Sequence, residues 1–216
     1  MRKTKIVCTL GPASSDEKTM ERMLKSGMNV ARVNFSHGTH ETQQEVIMKF
    51  KKVRDKLGYS AAIILDTKGP EIRLKNFEND MTILDDGQEF TLSSGDELGT
   101  KEMAAVTYKN LAKELKPGIK ILIDDGKVSL KVLEIYGDKI KCEVIHGGKI
   151  SNHKGVNIPN ANLQMEYLSK QDKSDILFGI ENGIDFVAAS FVRKKEDIQG
   201  IRKLLDENGG EKIKLI

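Results

Sequence analysis

Apolar positions along the chain fall into two rhythms, one of long spacing and one of short alternation. In "KIVCTL" (5–10) they run almost unbroken and close at Gly11-Pro12, which predicts a strand buried on both faces. A helix is expected next. Ser14 and Glu17 have capping-box spacing, Met20, Met23 and Leu24 share one helical face, and Gly27 is placed to end it. A strand at 29–34 precedes a long helix over about 39–57, whose Val46, Phe50, Val53 and Leu57 follow three-four spacing, and "AAIILD" (61–66) is a third strand. This β-α-β-α-β order predicts a parallel sheet covered by helices.

From Lys68-Gly69-Pro70 the spacing shortens and turn dipeptides recur: Asp86-Gly87, Ser94-Gly95, Pro117-Gly118, Asp125-Gly126, Tyr136-Gly137 and Gly147-Gly148. Antiparallel β structure is predicted, with a hairpin at Asp124-Asp125-Gly126 and one helix over 105–115. The first rhythm then returns. Ser169 and Asp172 open a helix carrying Ile176, Leu177 and Ile180, 184–190 is a strand, Ile198, Ile201 and Leu205 line a further helix ending at Asn208-Gly209-Gly210, and "KIKLI" begins another strand. The expected organisation is a β/α series over 1–69, a β-rich domain over 70–168 and a continuation over 169–216. The series reaches about five strands where a closed β/α barrel needs about eight.

Composition narrows the functional classes. Hydrophobic residues make up 38% of the 216, enough for a sizeable core. Lysine and arginine total 35 against 32 acidic residues with the signs interspersed, so the excess of +3 is no footprint for nucleic acid or an anionic membrane, and a small-molecule partner is expected. Cys8 and Cys142 lie far apart in strand-like runs and read as buried free thiols of a reducing compartment. Met1-Arg2-Lys3-Thr4 leads directly into the first strand without a signal-like apolar region, and a cytoplasmic location is expected.

Chemistry in parallel β/α folds gathers where strands end. Three ends carry polar groups here: Arg32, Asn34, Ser36 and His37; Asp66, Thr67 and Lys68; Ser190 and Arg193. A lone strand-end arginine is more often a surface ion-pair partner than a ligand, but convergence of three ends favours a site. Arg32, with its planar fork, is the natural phosphate or carboxylate ligand. Asn34, Ser36, Asp66 and Thr67 offer hard oxygens with a single carboxylate, a set that favours a monovalent cation over a tight divalent cage. His37 and His40 lack any zinc-like companions and read as solvated loop histidines. Neither a Walker loop nor a dinucleotide fingerprint is present in the sequence. One rival reading makes the β-rich part an oligonucleotide- or peptide-binding module using Phe77, Phe90, Tyr108 and Tyr136, several of which fall at core or turn positions. Another makes the chain a non-catalytic fragment.

"KTKIVCTLGPAS", "MNVARVNFSHGTHE", "ILDTKGPEIR", "ILIDDG", "HKGVNIP" and "DFVAASFVRKKED" occur in an order and context that resemble the pyruvate kinase family, over the whole chain. That resemblance implies a (β/α)8 TIM-type barrel, here cut to about five strands, with an all-β barrel lid domain inserted after the third strand. It implies transfer of the phosphoryl group from phosphoenolpyruvate to ADP, giving pyruvate and ATP in glycolysis, with Mg2+ (or Mn2+) and K+ as cofactors, usually in a homotetramer. By the resemblance Arg32 binds the substrate phosphate, His37, Arg73 and Lys154 face the nucleotide phosphates, and Asn34, Ser36, Asp66 and Thr67 hold potassium. Glu71 goes with potassium dependence in that family. Asn160 stands where a glycine is usual, and a later proline of that segment is missing. The family's Lys-x-Glu motif, which carries catalysis and magnesium binding, is expected beyond Ile216, so this chain alone is expected to be inactive.

Overall fold

The computed structural model describes residues 3–161 and 163–216; Met1 and Arg2, part of the N-terminal reading above, lie outside the described residues. Two compact units emerge, one formed by Met1–Pro70 with Glu166–Ile216 and the other by Glu71–Met165.

The first unit is an open, all-parallel sheet of five strands flanked by helices. Its strands are β1 (Val7–Thr9), β2 (Val30–Asn34), β3 (Ala62–Asp66), β12 (Phe186–Ala188) and β13 (Lys214–Leu215), hydrogen-bonded in that order. Between them run α1 (Glu17–Lys25), α2 (His40–Leu57), α4 (Lys170–Glu181) and α5 (Lys195–Glu207). Ala31, Val33, Ile63, Leu65 and Val187 turn to the helices and form one core with Met20, Leu24, Ile47, Phe50, Val53, Ile176, Ile201 and Leu205. The expectation of burial on both faces is corrected for β1, whereas in β3 the successive residues Ile63, Ile64 and Leu65 are all buried. Helices cover one face, while the other presents Val7, 53% exposed, and the half-buried Arg32, Asn34 and Asp66. Side chains alternate across a strand, so Arg32 and Asn34 of β2 necessarily share the face opposite Ala31 and Val33.

Local chemistry explains the element ends. Thr39 and Ser169 each cap a helix through reciprocal bonds with Thr42 and Asp172, and Gly58 closes α2 in the left-handed region at φ 67°. The capping box read at Ser14–Glu17 does not form. Pro12–Ser14 make a short 3-10 turn in which the Ser14 hydroxyl accepts from Gly11 N–H at 3.0 Å, so the cap passes to Asp16, whose Oδ1 accepts from Thr19 N–H at 2.9 Å. The core stripe of α2 centres on Ile47, Phe50 and Val53, with Val46 and Leu57 at its margin.

The second unit packs two sheets around one core. Strands β4 (Met81–Leu84) and β10 (Gly148–Ser151) form an antiparallel pair. Six others order as β11 (Val156–Asn157), β7 (Lys120–Ile123), β8 (Val128–Tyr136), β9 (Lys139–His146), β5 (Glu89–Ser93) and β6 (Met103–Ala105). The hairpin read at Asp124–Gly126 joins β7 to β8. One pairing departs from the antiparallel expectation, since β5 and β6 run parallel. The helix expected over 105–115 shrinks to α3 (Leu111–Glu114), because Ala105 belongs to β6 and Val106 donates its N–H to Ser93 and bridges Leu74. Gly147 is required by contact: a Cβ there would stand 2.3 Å from the Leu84 carbonyl oxygen.

The two thiols differ. Cys142 is fully buried, and desolvation pushes its thiol up to about 12, whereas Cys8 is half-buried at the sheet edge. Iodoacetamide applied to the folded chain is expected to alkylate Cys8 and spare Cys142, read by mass spectrometry; prompt labelling of Cys142 would contradict the packing. Among the described residues no helix is long and apolar enough to cross a membrane.

Candidate functional site

The polar face of the parallel sheet gathers its groups by register. Thr9 pairs with Arg32, and Asn34 with Asp66, so the C-terminal ends of β1, β2 and β3 lie side by side. Arg32 reaches along this row. Its Nε donates to Asp66 Oδ2 at 2.8 Å, its Nη2 donates to the same oxygen, and its Nη1 donates to Thr9 Oγ1 at 2.8 Å. Arg32 therefore already has an anion beside it, the Asp66 carboxylate. A guanidinium carries five N–H donors. These three bonds leave one donor on each terminal nitrogen, held in a fixed plane.

Asp66 is itself fixed from the other side, where Ser190 Oγ donates to its Oδ1 at 2.8 Å. The Thr67 hydroxyl accepts from Ser190 N–H and donates to the Ala188 carbonyl, both at 3.2 Å. Asn34 Oδ1 accepts from Ser36 N–H at 3.0 Å, which turns the loop after β2 back over the strand end. The structure thus brings together Arg32, Asp66, Thr67 and Ser190, with Asn34 and Ser36 on the adjoining strand end. Lys68 is exposed, and Arg193 is turned to Asp197 of α5, with Nε 3.6 Å from Oδ2. Thr9 is the residue that sequence reasoning missed; its only signal is the register that sets it opposite Arg32.

Backbone strain marks the same end of the sheet. Phe191 adopts φ 58°, unusual for a bulky residue, directly after Ser190. Gly69 sits against the Ser190 carbonyl at φ +67°, where a Cβ would approach it to 2.6 Å.

His37 is exposed and lines an open cleft of about 480 Å³ with Thr9, Pro12, Asn34, Gln43 and Lys49. Its carbonyl accepts from Gln43 Nε2 at 2.6 Å, which ties the loop to α2. His40 is not the solvated histidine expected. Its ring stacks on Phe178 at 4.4 Å, and its Nε2 lies 2.6 Å from Asp175 Oδ1, which joins α2 to α4.

Arg73 and Lys154 lie in the second unit. Arg73 donates to the Glu71 carboxylate and, through Nη1, to the His153 carbonyl at 2.5 Å, and Lys154 Nζ stands 3.0 Å from Asp124 Oδ1. Of the aromatics required by a nucleic-acid or peptide module, Phe77 and Phe90 are core residues.

Comparison with known proteins agrees over the full length. The family model "Pyruvate kinase, barrel domain" matches residues 1–216. The chain is 47% identical to a pyruvate kinase of Clostridium perfringens over 217 residues, covering 100% of this chain and 46% of that protein. It is 47% identical to one of Clostridium acetobutylicum over 216 residues, with the same two coverages. A third, from Staphylococcus epidermidis, is 45% identical over 213 residues, covering 98% of this chain and 36% of that protein. The chain thus spans less than half the length of the curated relatives it matches. A family model matched from end to end, on a sheet whose strand ends assemble a fixed guanidinium among oxygen donors, places the chain in the pyruvate kinase family.

Proposed function

We propose that this chain supplies the phosphate-holding and monovalent-cation-holding groups of a cytoplasmic pyruvate kinase, which transfers a phosphoryl group between phosphoenolpyruvate and ADP. On this reading the parallel sheet is part of a (β/α)8 barrel, and residues 71–165 are a β-rich domain inserted after its third strand. The observation that carries the reading is the Arg32 guanidinium, fixed by Asp66 and Thr9 with two N–H groups to spare.

Phosphoryl transfer asks the protein mainly to position reactants and to neutralise charge on the equatorial oxygens. Arg32 would bind phosphoryl oxygens through its remaining fork, and its bonds to Asp66 and Thr9 remove the freedom that such binding would otherwise have to restrict. Asn34, Ser36, Asp66 and Thr67 fit a potassium ion: one carboxylate among neutral oxygens, with positions 34 and 66 opposed in register. When bound, that ion supplies a positive charge beside the phosphate. The open cleft beside His37 in the first unit falls within the usual size of small-molecule sites. In the second unit, Arg73 and Lys154 would meet nucleotide phosphates.

The test is pyruvate release from phosphoenolpyruvate and ADP by the intact protein. Potassium in place of tetramethylammonium is expected to raise the rate, and Asp66→Asn to remove that rise. No pyruvate under any condition would sink the reading, and equal rates in both salts would sink its cation half. A nucleic-acid-binding module, the second reading, is disfavoured by the burial of Phe77 and Phe90.

A further inference from the structure

The hairpin after β7 holds three successive residues in the left-handed region: Asp124 at φ 51°, Asp125 at φ 57° and Gly126 at φ 87°. Glycine accepts this backbone freely, and aspartate is among the few other residues that enter it in turns. The Asp124 carboxylate accepts from Lys154 Nζ at 3.0 Å and from Lys127 Nζ at 2.9 Å, and both ammonium groups hold it below the ordinary carboxylate range.

The backbone around this carboxylate is stitched to the segment that bears Lys154. Asp124 N–H donates to the Gly155 carbonyl at 3.0 Å, Leu74 N–H donates to the Lys154 carbonyl at 2.8 Å, and Arg73 bridges Gly155. Arg73 and Lys154 therefore share one small patch of the second unit, and Asp124 is the anion that fixes the more flexible of the two cations. A lysine side chain is among those that lose most rotamer freedom on being held. Asp124 engages one of the ammonium's three protons, which leaves two for phosphate oxygens.

We infer that Asp124 is a positioning residue that holds the Lys154 ammonium ready for nucleotide phosphates. This inference rests on the proposed nucleotide role of Lys154. Asparagine tolerates the left-handed backbone and keeps a neutral acceptor, so Asp124→Asn preserves the turn while weakening the hold.

The experiment is a double-mutant cycle in the intact protein, with Michaelis constants for ADP and for phosphoenolpyruvate read separately. Asp124→Asn is expected to raise the ADP constant about fivefold and to leave the phosphoenolpyruvate constant unchanged. In a Lys154→Met background the same change is expected to have no effect on either. Equal effects of Asp124→Asn in both backgrounds would overturn the inference, as would a single variant indistinguishable from the parent. If Lys154→Met alone leaves the ADP constant unmoved, the nucleotide reading itself fails, and that outcome is separate from the others. Asp124→Gly gives a further check: glycine accepts the left-handed backbone, so the turn and the melting temperature are expected to hold while the ADP constant rises. A constant that stays at the parental value would count against the positioning role.

Discussion

On the proposed function, Arg32→Met is expected to raise the phosphoenolpyruvate requirement of the intact protein by about a hundredfold, from the loss of two charge-assisted hydrogen bonds worth together about 3 kcal/mol. Those are the bonds that the two unused N–H groups would make. Lysine is expected to recover only a small part, since a point charge cannot engage Asp66 and a phosphate in one plane. The change also leaves the Asp66 carboxylate without its guanidinium. The pair is partly solvated, with side chains 32% and 13% exposed, so the stability loss is expected to be about 1–2 kcal/mol, below the figure for a fully buried pair. Steady-state kinetics and a thermal melt separate the two effects. A phosphoenolpyruvate constant within about threefold of the parent would remove Arg32 from the site.

Why part of this was legible in the sequence follows from the range of the forces involved. The β/α rhythm was readable because helix and strand periods are local, and Ser169–Asp172 was readable as a cap because both partners sit within one turn. Ser14 misled because Gly11-Pro12 had already committed its hydroxyl to a turn. Ala105 and Val106 read as the start of a helix, but their backbone is taken up by Met103–Ala105 pairing and by contacts to Ser93 and Leu74, which no local window contains. The same distinction runs through the site. That Arg32, Asn34 and Asp66 belong to strand ends could be read from patterning, but the ion pair between Arg32 and Asp66 depends on the register of β2 on β3. Thr9 and the Asp175 partner of His40 are likewise contacts between segments distant in sequence, and periodicity is silent about them.

Asp172→Ala is expected to destabilise the first unit by about 3 kcal/mol, roughly 1 kcal/mol for each of the three hydrogen bonds that its buried carboxylate accepts. Asp172 is 1% exposed and accepts from three groups: Gly69 N–H at 3.0 Å, Ser169 N–H at 3.2 Å and Ser169 Oγ at 2.6 Å. The bond from Ser169 N–H is one half of the capping box of α4, that from Ser169 Oγ holds the two side chains together, and that from Gly69 anchors the segment that leaves β3 just beyond Thr67. At roughly 2–4 °C per kcal/mol for a chain of this size, the melting temperature should fall by about 6–12 °C. Asp172→Asn retains one carbonyl oxygen and should lose about half as much. Amide hydrogen exchange locates the effect, because the Gly69 and Ser169 N–H groups should lose protection first while Ile63 and Leu65, deep in the sheet, keep theirs until global unfolding. Protection at Gly69 unchanged by Asp172→Ala would mean that the strand-end segment is held by something other than this carboxylate. In that case the close approach of Gly69 to the Ser190 carbonyl, 2.6 Å from where a Cβ would stand, becomes the anchor to test.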